Sequence, residues 1–184
     1  MISLIDLLME NSTSTYDYGC VMVYFNFPEL FKIQDAINPK DVYDKEGDKT
    51  YGLEDEPHCT LLYGLHEEVT TEEVKNIINR HQWGRKPLIA RDISLFSKEE
   101  YDVLKFDMEG EILHKINENL KTLPFTTEYP EYHPHMTVGY LKSGTGKRYV
   151  EMLEKKLKKF VLNPQYVIFS KPDGTKDKIK INKI

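Results

Sequence analysis

Apolar residues gather in short runs separated by polar, turn-forming stretches, and two periods alternate along the chain. Cys20–Phe27 (CVMVYFNF) is rich in β-branched and aromatic residues, which predicts a buried strand closed by Pro28. Pro28–Ile37 predicts a short helix, and His58–Leu65 (HCTLLYGL) a second strand. Thr70–Gln82 predicts a longer helix: Thr70 or Thr71 caps it, Glu72 and Glu73 occupy the first turn, and Val74, Ile77 and Ile78 share a face. Leu88–Phe96 and Tyr101–Met108 predict two strands about the polar turn Ser97–Glu100. Glu111–Leu123 predicts a helix with Ile112, Ile116 and Leu120 as its apolar stripe. His135–Leu141 predicts another strand, Lys147–Phe160 a helix, and Tyr166–Ser170 with Lys178–Ile181 a closing hairpin about Pro172–Gly174.

Between Asn38 and Pro57 the chain is acidic, glycine-punctuated and aperiodic, which predicts a long loop acting as a lid or flap. The order of elements lacks the regular strand–helix beat of a doubly wound fold, so the expectation is α+β with a mostly antiparallel sheet. No repeat of the length used by solenoids is visible. Apolar positions within Met1–Glu10 predict a short amphipathic helix, and Asn11–Thr15 a polar linker. Asp6 interrupts the apolar stretch, so it reads as neither a signal peptide nor a membrane span. The division expected is residues 1–17 as helix and linker, and 18–184 as one domain.

Composition narrows the ligands. The 184 residues are 40% hydrophobic, enough for one domain or one domain of two similar lobes. A net charge of −5 argues against long duplex nucleic acid, so a nucleic-acid ligand should be small or held in a local basic pocket. Two cysteines, Cys20 and Cys59, make neither a disulfide framework nor a zinc pattern, which points to a reducing, cytoplasmic compartment.

One short element occurs twice: Pro57-His58-Cys59-Thr60-Leu61-Leu62-Tyr63-Gly64 and Pro134-His135-Met136-Thr137-Val138-Gly139-Tyr140. Each opens a predicted strand. In a strand, residues i and i+2 share a face about 6.5–7 Å apart, so His58 with Thr60, and His135 with Thr137, each present an imidazole beside a hydroxyl. Two such pairs suit phosphodiester cleavage. One histidine deprotonates the nucleophile, the other protonates the leaving oxygen, and the threonine hydroxyls donate to the non-bridging oxygens. No cofactor or metal is needed for that chemistry.

The paired motifs HCTLL (58–62) and HMTVG (135–139) resemble those of the two-histidine (2H) phosphoesterase superfamily, over residues 18–184. That superfamily includes RNA 2′,3′-cyclic phosphodiesterases, 2′-5′ phosphodiesterases and phage enzymes that destroy cyclic nucleotide immune signals. The resemblance implies two small antiparallel sheets related by a pseudo-two-fold axis about a central cleft. It also implies His58 and His135 as the acid/base pair, Thr60 and Thr137 as phosphate clamps, and a small nucleotide or RNA end as substrate. A phage counter-defence setting falls within it. The competing expectations are a catalytically silent nucleotide- or RNA-binding sponge on the same fold, and an interaction protein using the N-terminal helix.

Tyr24, on the first strand, and Tyr132, in the entry to the second motif, are candidates to stack on a base. Strict alternation puts Tyr63 and Tyr140 opposite their histidines, in the core. His133 with His135 lacks acidic or cysteine partners at metal-ligand spacing. Ser143–Lys147 (SGTGK) fails the P-loop pattern, because Leu141 stands where its first glycine belongs and Arg148 where Ser or Thr belongs. Lys142 and that loop could still serve an extra phosphate.

Overall fold

A computed structural model describes residues 16–46, 48 and 50–183; the expected N-terminal helix and the Asn11–Thr15 linker lie outside the described residues. Among the described residues, seven strands and four α-helices follow one another as β1 (Gly19–Asn26), α1 (Glu29–Gln34), β2 (His58–Leu65), α2 (Thr71–Asn79), β3 (Leu88–Ser97), β4 (Tyr101–Glu109), α3 (Glu111–Leu120), β5 (His135–Lys142), α4 (Gly146–Glu154), β6 (Phe160–Ser170) and β7 (Lys176–Lys180). Every strand pairing is antiparallel, and the order is β2-β1-β6-β3-β4-β5, with β7 also on β6. The fold is α+β, as the mixed periods predict.

β6 is the hinge of this order. Phe160–Leu162 pair with β3, Asn163–Ser170 pair with β1, and Tyr166–Ser170 pair with β7. The sequence predicts a helix up to Phe160 and a strand only from Tyr166. The helix instead ends near Glu154, and Pro164 sits inside the strand. Pro164 pairs with Phe25 beside a register irregularity, the place where a residue without an N–H costs a sheet least. α2 forms as read, with a full capping box between Thr70 and Glu73.

Although β2 and β5 end the strand order, they come into contact with each other. The helices cross between them: α1, which follows β1, packs on β5, while α3, which follows β4, packs on β2. A single apolar cluster runs through both halves, from Val23, Leu30 and Cys59 to Leu104, Phe106 and Met136. Among the described residues no helix is long and apolar enough to cross a membrane.

The acidic segment is a docked strip along the outer edge of β5. The Tyr43 N–H donates to the Tyr140 carbonyl at 2.9 Å, the Tyr140 N–H to the Gly52 carbonyl at 2.8 Å, and the Glu54 N–H to the Val138 carbonyl at 3.1 Å. Asn38 and Asp41 tie its start to Tyr149 and Arg148 of α4. An edge strand offers unpaired backbone groups, and this segment satisfies them. Glycine at 139 permits the approach, since a Cβ there would stand 2.7 Å from Leu53 Cδ2.

Candidate active site

Both motif strands begin in the same way. Pro57 and Pro134 precede them, and their carbonyls accept from the Phe25 and Met108 N–H groups of β1 and β4, each at 2.9 Å. The histidine side chains then turn back onto the entering chain. His58 Nδ1 lies 2.8 Å from the Glu56 carbonyl oxygen, and His135 Nδ1 lies 2.8 Å from the His133 carbonyl oxygen. A carbonyl can only accept, so each Nδ1 carries the proton and each neutral ring is left with its lone pair on Nε2. Two imidazoles are thereby held in the tautomer that general base catalysis uses.

Each strand also carries a β-bulge at the same place in its motif. Met22 pairs with Thr60 but Val21 pairs with Leu62, leaving Leu61 extra; Lys105 pairs with Thr137 but Leu104 pairs with Gly139, leaving Val138 extra. A bulge inserts one residue and resets which side chains share a face. The core reading of Tyr63 and Tyr140 is corrected by this. After the bulge both return to the face of their histidine and threonine. Tyr63 is 43% exposed and meets Tyr18 edge-on, while Tyr140 packs edge-on with Tyr51 and Tyr101.

The extra carbonyls are satisfied by buried amides from the crossing helices. Asn117 Nδ2 on α3 donates to the Leu61 carbonyl at 2.6 Å, and Gln34 Nε2 on α1 donates to the Val138 carbonyl at 2.9 Å. Neither residue stood out in the sequence, although each is a polar residue beside the apolar stripe of a helix. Asn117→Leu keeps the shape and strands a buried carbonyl. It is expected to cost about 1–3 kcal/mol of stability, read as a lower urea midpoint; an unchanged midpoint would deny the amide its role.

Around the two histidines the surroundings differ. On β1, Tyr24 pairs across from His58, with ring centroids 5.3 Å apart, and Met22 pairs with Thr60. On β4, Asp107 pairs across from His135 and Lys105 from Thr137. Lys105 is only 4% exposed. Its Nζ donates to Ser94 Oγ at 2.7 Å and to the Asp107 carboxylate, and lies 4.2 Å from the centre of the Phe96 ring, whose partner edge-on is His135 at 5.0 Å. Burial lowers the His135 pKa below its ordinary value, and the Lys105 ammonium and the His58 charge lower it further; the His133 carbonyl and Asp107 act in the opposite sense. On the other side, the Glu54 carboxylate lies 3.7 Å from His58 Nδ1. Burial raises the Glu54 pKa, while His58 pulls it down.

No family model matches the chain, and no curated protein matches it in sequence. Solved structures do match it. Usb1 of Kluyveromyces marxianus aligns with a TM-score of 0.55 at 9% identity, over 90% of this chain and 98% of that one. The same protein with uridine monophosphate aligns at 0.53 and 9% identity, over the same shares of the two chains. This chain shares the Usb1 fold.

The remaining candidates fall in three different places. Tyr24 lies in a cross-strand row between His58 and Tyr166, stacked on Tyr166 at 5.2 Å. Tyr132 is turned inward: its hydroxyl donates to the Thr60 carbonyl at 2.9 Å and its ring meets His114 edge-on, so it braces the β2 backbone. Lys142 ends β5 in solvent, paired across from Tyr101. In the following loop, the Gly146 N–H is engaged by the buried Asp102 carboxylate at 2.9 Å, leaving it unavailable to a phosphate. Cys59 is a core residue, its thiol pKa raised by burial to about 12. Among the described residues, no three His, Cys, Asp or Glu side chains gather as a metal site.

Proposed function

We propose that this protein is a phosphodiesterase of the two-histidine type, acting on a phosphodiester of a small nucleotide or an RNA end. The observation that carries the reading is the pair of imidazoles on touching strands, each with Nδ1 held by a backbone carbonyl and each beside a threonine on the same strand face. The matching carbonyl contacts and bulges around both motifs support a two-lobed arrangement with a pseudo-two-fold axis between β2 and β5. The fold shared with a protein captured with uridine monophosphate is in keeping with a nucleotide ligand.

In this reading His135 is the base of the first step and His58 the acid. His135 Nε2 takes the proton of the attacking hydroxyl or water as the new P–O bond forms. His58 gives its Nε2 proton to the leaving oxygen as the old P–O bond breaks. Burial and Lys105 favour the neutral, proton-accepting form of His135, while the Glu54 carboxylate stands 3.7 Å from Nδ1 of His58, the proton donor. Thr60 and Thr137 donate to the non-bridging oxygens, and Lys105, paired with Thr137, adds positive potential there. Every proton and charge is handled by side chains, so the reaction runs without a metal. Tyr24 borders the His58 side of the cleft, and Lys142 its rim.

The substrate class covers a 2′,3′-cyclic phosphate, a 2′-5′ linkage and a cyclic oligonucleotide signal; destruction of the last would make this a counter-defence enzyme of a phage. A panel of these compounds, incubated with the protein in excess EDTA, is expected to show turnover of at least one. Tight binding without turnover would convert the reading to a nucleotide sponge. Neither binding nor turnover would remove it.

A further inference from the structure

Antiparallel register assigns side chains to faces, and it carries the face of His58 and Thr60 across four strands. Residues paired directly across strands point to the same side of a sheet. From β2 outward, one row runs His58, Tyr24, Tyr166, Lys180; the next runs Thr60, Met22, Ile168, Lys178; a third runs Tyr63, Cys20, Ser170, Lys176. All three rows end on a lysine of β7. The intervening β7 residues face the other way: Ile179 is in the core, and Asp177 bonds Lys171 and Thr71 of α2. Lys176, Lys178 and Lys180 are exposed, and none makes an ion pair with a described residue. Lys178 Nζ stands 3.8 Å from the centre of the Tyr166 ring. The carboxylates that act on Tyr24 and Tyr166 of this face, Glu54 and Glu56, lie at its His58 end.

We infer that the β6–β7 face is a binding track for the phosphates of a single-stranded oligonucleotide whose reacting phosphodiester sits between His58 and His135. Three strand spacings of about 4.8 Å separate β2 from β7, so the lysines stand roughly 14 Å from the histidine strand. A mononucleotide held at the motifs does not span that distance, and a short strand does. Lysines on an edge strand also discourage sheet-to-sheet pairing. What distinguishes a track is that all three share the catalytic face, at one end of rows that begin with the motif residues. A locally basic face also reconciles an acidic chain with a polyanionic ligand, since the net charge of −5 is an average over the whole surface.

This inference rests on the proposed phosphodiesterase site, and the experiment keeps the two apart. Binding of fluorescein-labelled oligouridylates, a dinucleotide and an octanucleotide, is measured by anisotropy against salt for the full chain and for the variant Lys176→Ser/Lys178→Ser/Lys180→Ser. Turnover of a 2′,3′-cyclic mononucleotide is followed in parallel. The expected result is that the octanucleotide binds the wild-type chain at least about tenfold more tightly than the dinucleotide. The variant should lose that advantage, and the slope of log K against log salt should fall by about 2, the value for three lost phosphate contacts on a single strand. Its mononucleotide turnover should be unchanged. Equal affinity for both lengths in the wild type overturns the track, as does an unaltered length dependence in the variant. So does loss, in the variant, of binding to phosphatidylserine vesicles alone, which would make the face a membrane contact. Length-dependent binding without any turnover would leave the track standing and remove the enzyme.

Discussion

Replacing either His58 or His135 by alanine is expected to lower kcat for the substrate found in the panel by about 10²–10⁴, the span that one general acid or base supplies. The double variant should lose little more than the worse single one, because acid and base act in the same displacement and their losses do not multiply. Substrate affinity should survive, since the threonine donors remain. Both rings are partly exposed at strand entries, so the variants should melt near the wild-type temperature. Full activity in either variant would mean that the motif histidines do not move the protons.

Thr60→Val and Thr137→Val form the second strong test. Valine keeps the β-branched shape that suits a strand and removes only the hydroxyl. Loss of one donor to a developing phosphate charge is expected to cost about 10²–10³ in kcat. The two losses should differ. Met22 stands across from Thr60 and offers no donor, whereas Lys105 stands across from Thr137 and can cover part of the deficit. Thr60→Val should therefore be the more damaging. Equal, small effects would show that the hydroxyls serve the fold alone.

The two motifs are legible because a strand-initial His-x-Thr needs a period of two over only four residues, which His58–Leu61 and His135–Val138 keep. Strict alternation misplaces Tyr63 and Tyr140 because a bulge at Leu61 and another at Val138 interrupt the period two residues earlier. Nothing in a single strand announces a bulge; it is fixed by the partner strand and by the amides of Asn117 and Gln34, which lie on helices distant in sequence. Lys105 and Asp107 were invisible as site residues for a related reason. Only the pairing of β4 with β5 places them opposite Thr137 and His135. The segment after Asn38 reads as a lid or flap because its hydrogen bonds are to the backbone of β5, and backbone partners leave no side-chain pattern. In β6, Pro164 and the lysine-rich approach concealed a strand that runs past a proline at an irregular step. The fold neighbours confirm the α+β architecture without any sequence likeness that could have announced it.

The most direct test of the paired-histidine account is the pH dependence of kcat/KM in EDTA, compared among wild type, His58→Ala, His135→Ala and Lys105→Met. The wild type should give a bell, with the acid limb set by His135, which must be neutral to act as base, and the alkaline limb by His58, which must be protonated to act as acid. Because burial and Lys105 lower the His135 pKa, that acid limb should fall below the usual imidazole value of about 6.5. Removing the ammonium in Lys105→Met relieves the penalty on the imidazolium and leaves Asp107 unpaired. Both changes raise the His135 pKa, so the acid limb should move to higher pH. The residual activity of His135→Ala should lack the acid limb, and that of His58→Ala the alkaline one. A bell that keeps both limbs in both histidine variants, with an acid limb that Lys105→Met does not move, would contradict the account.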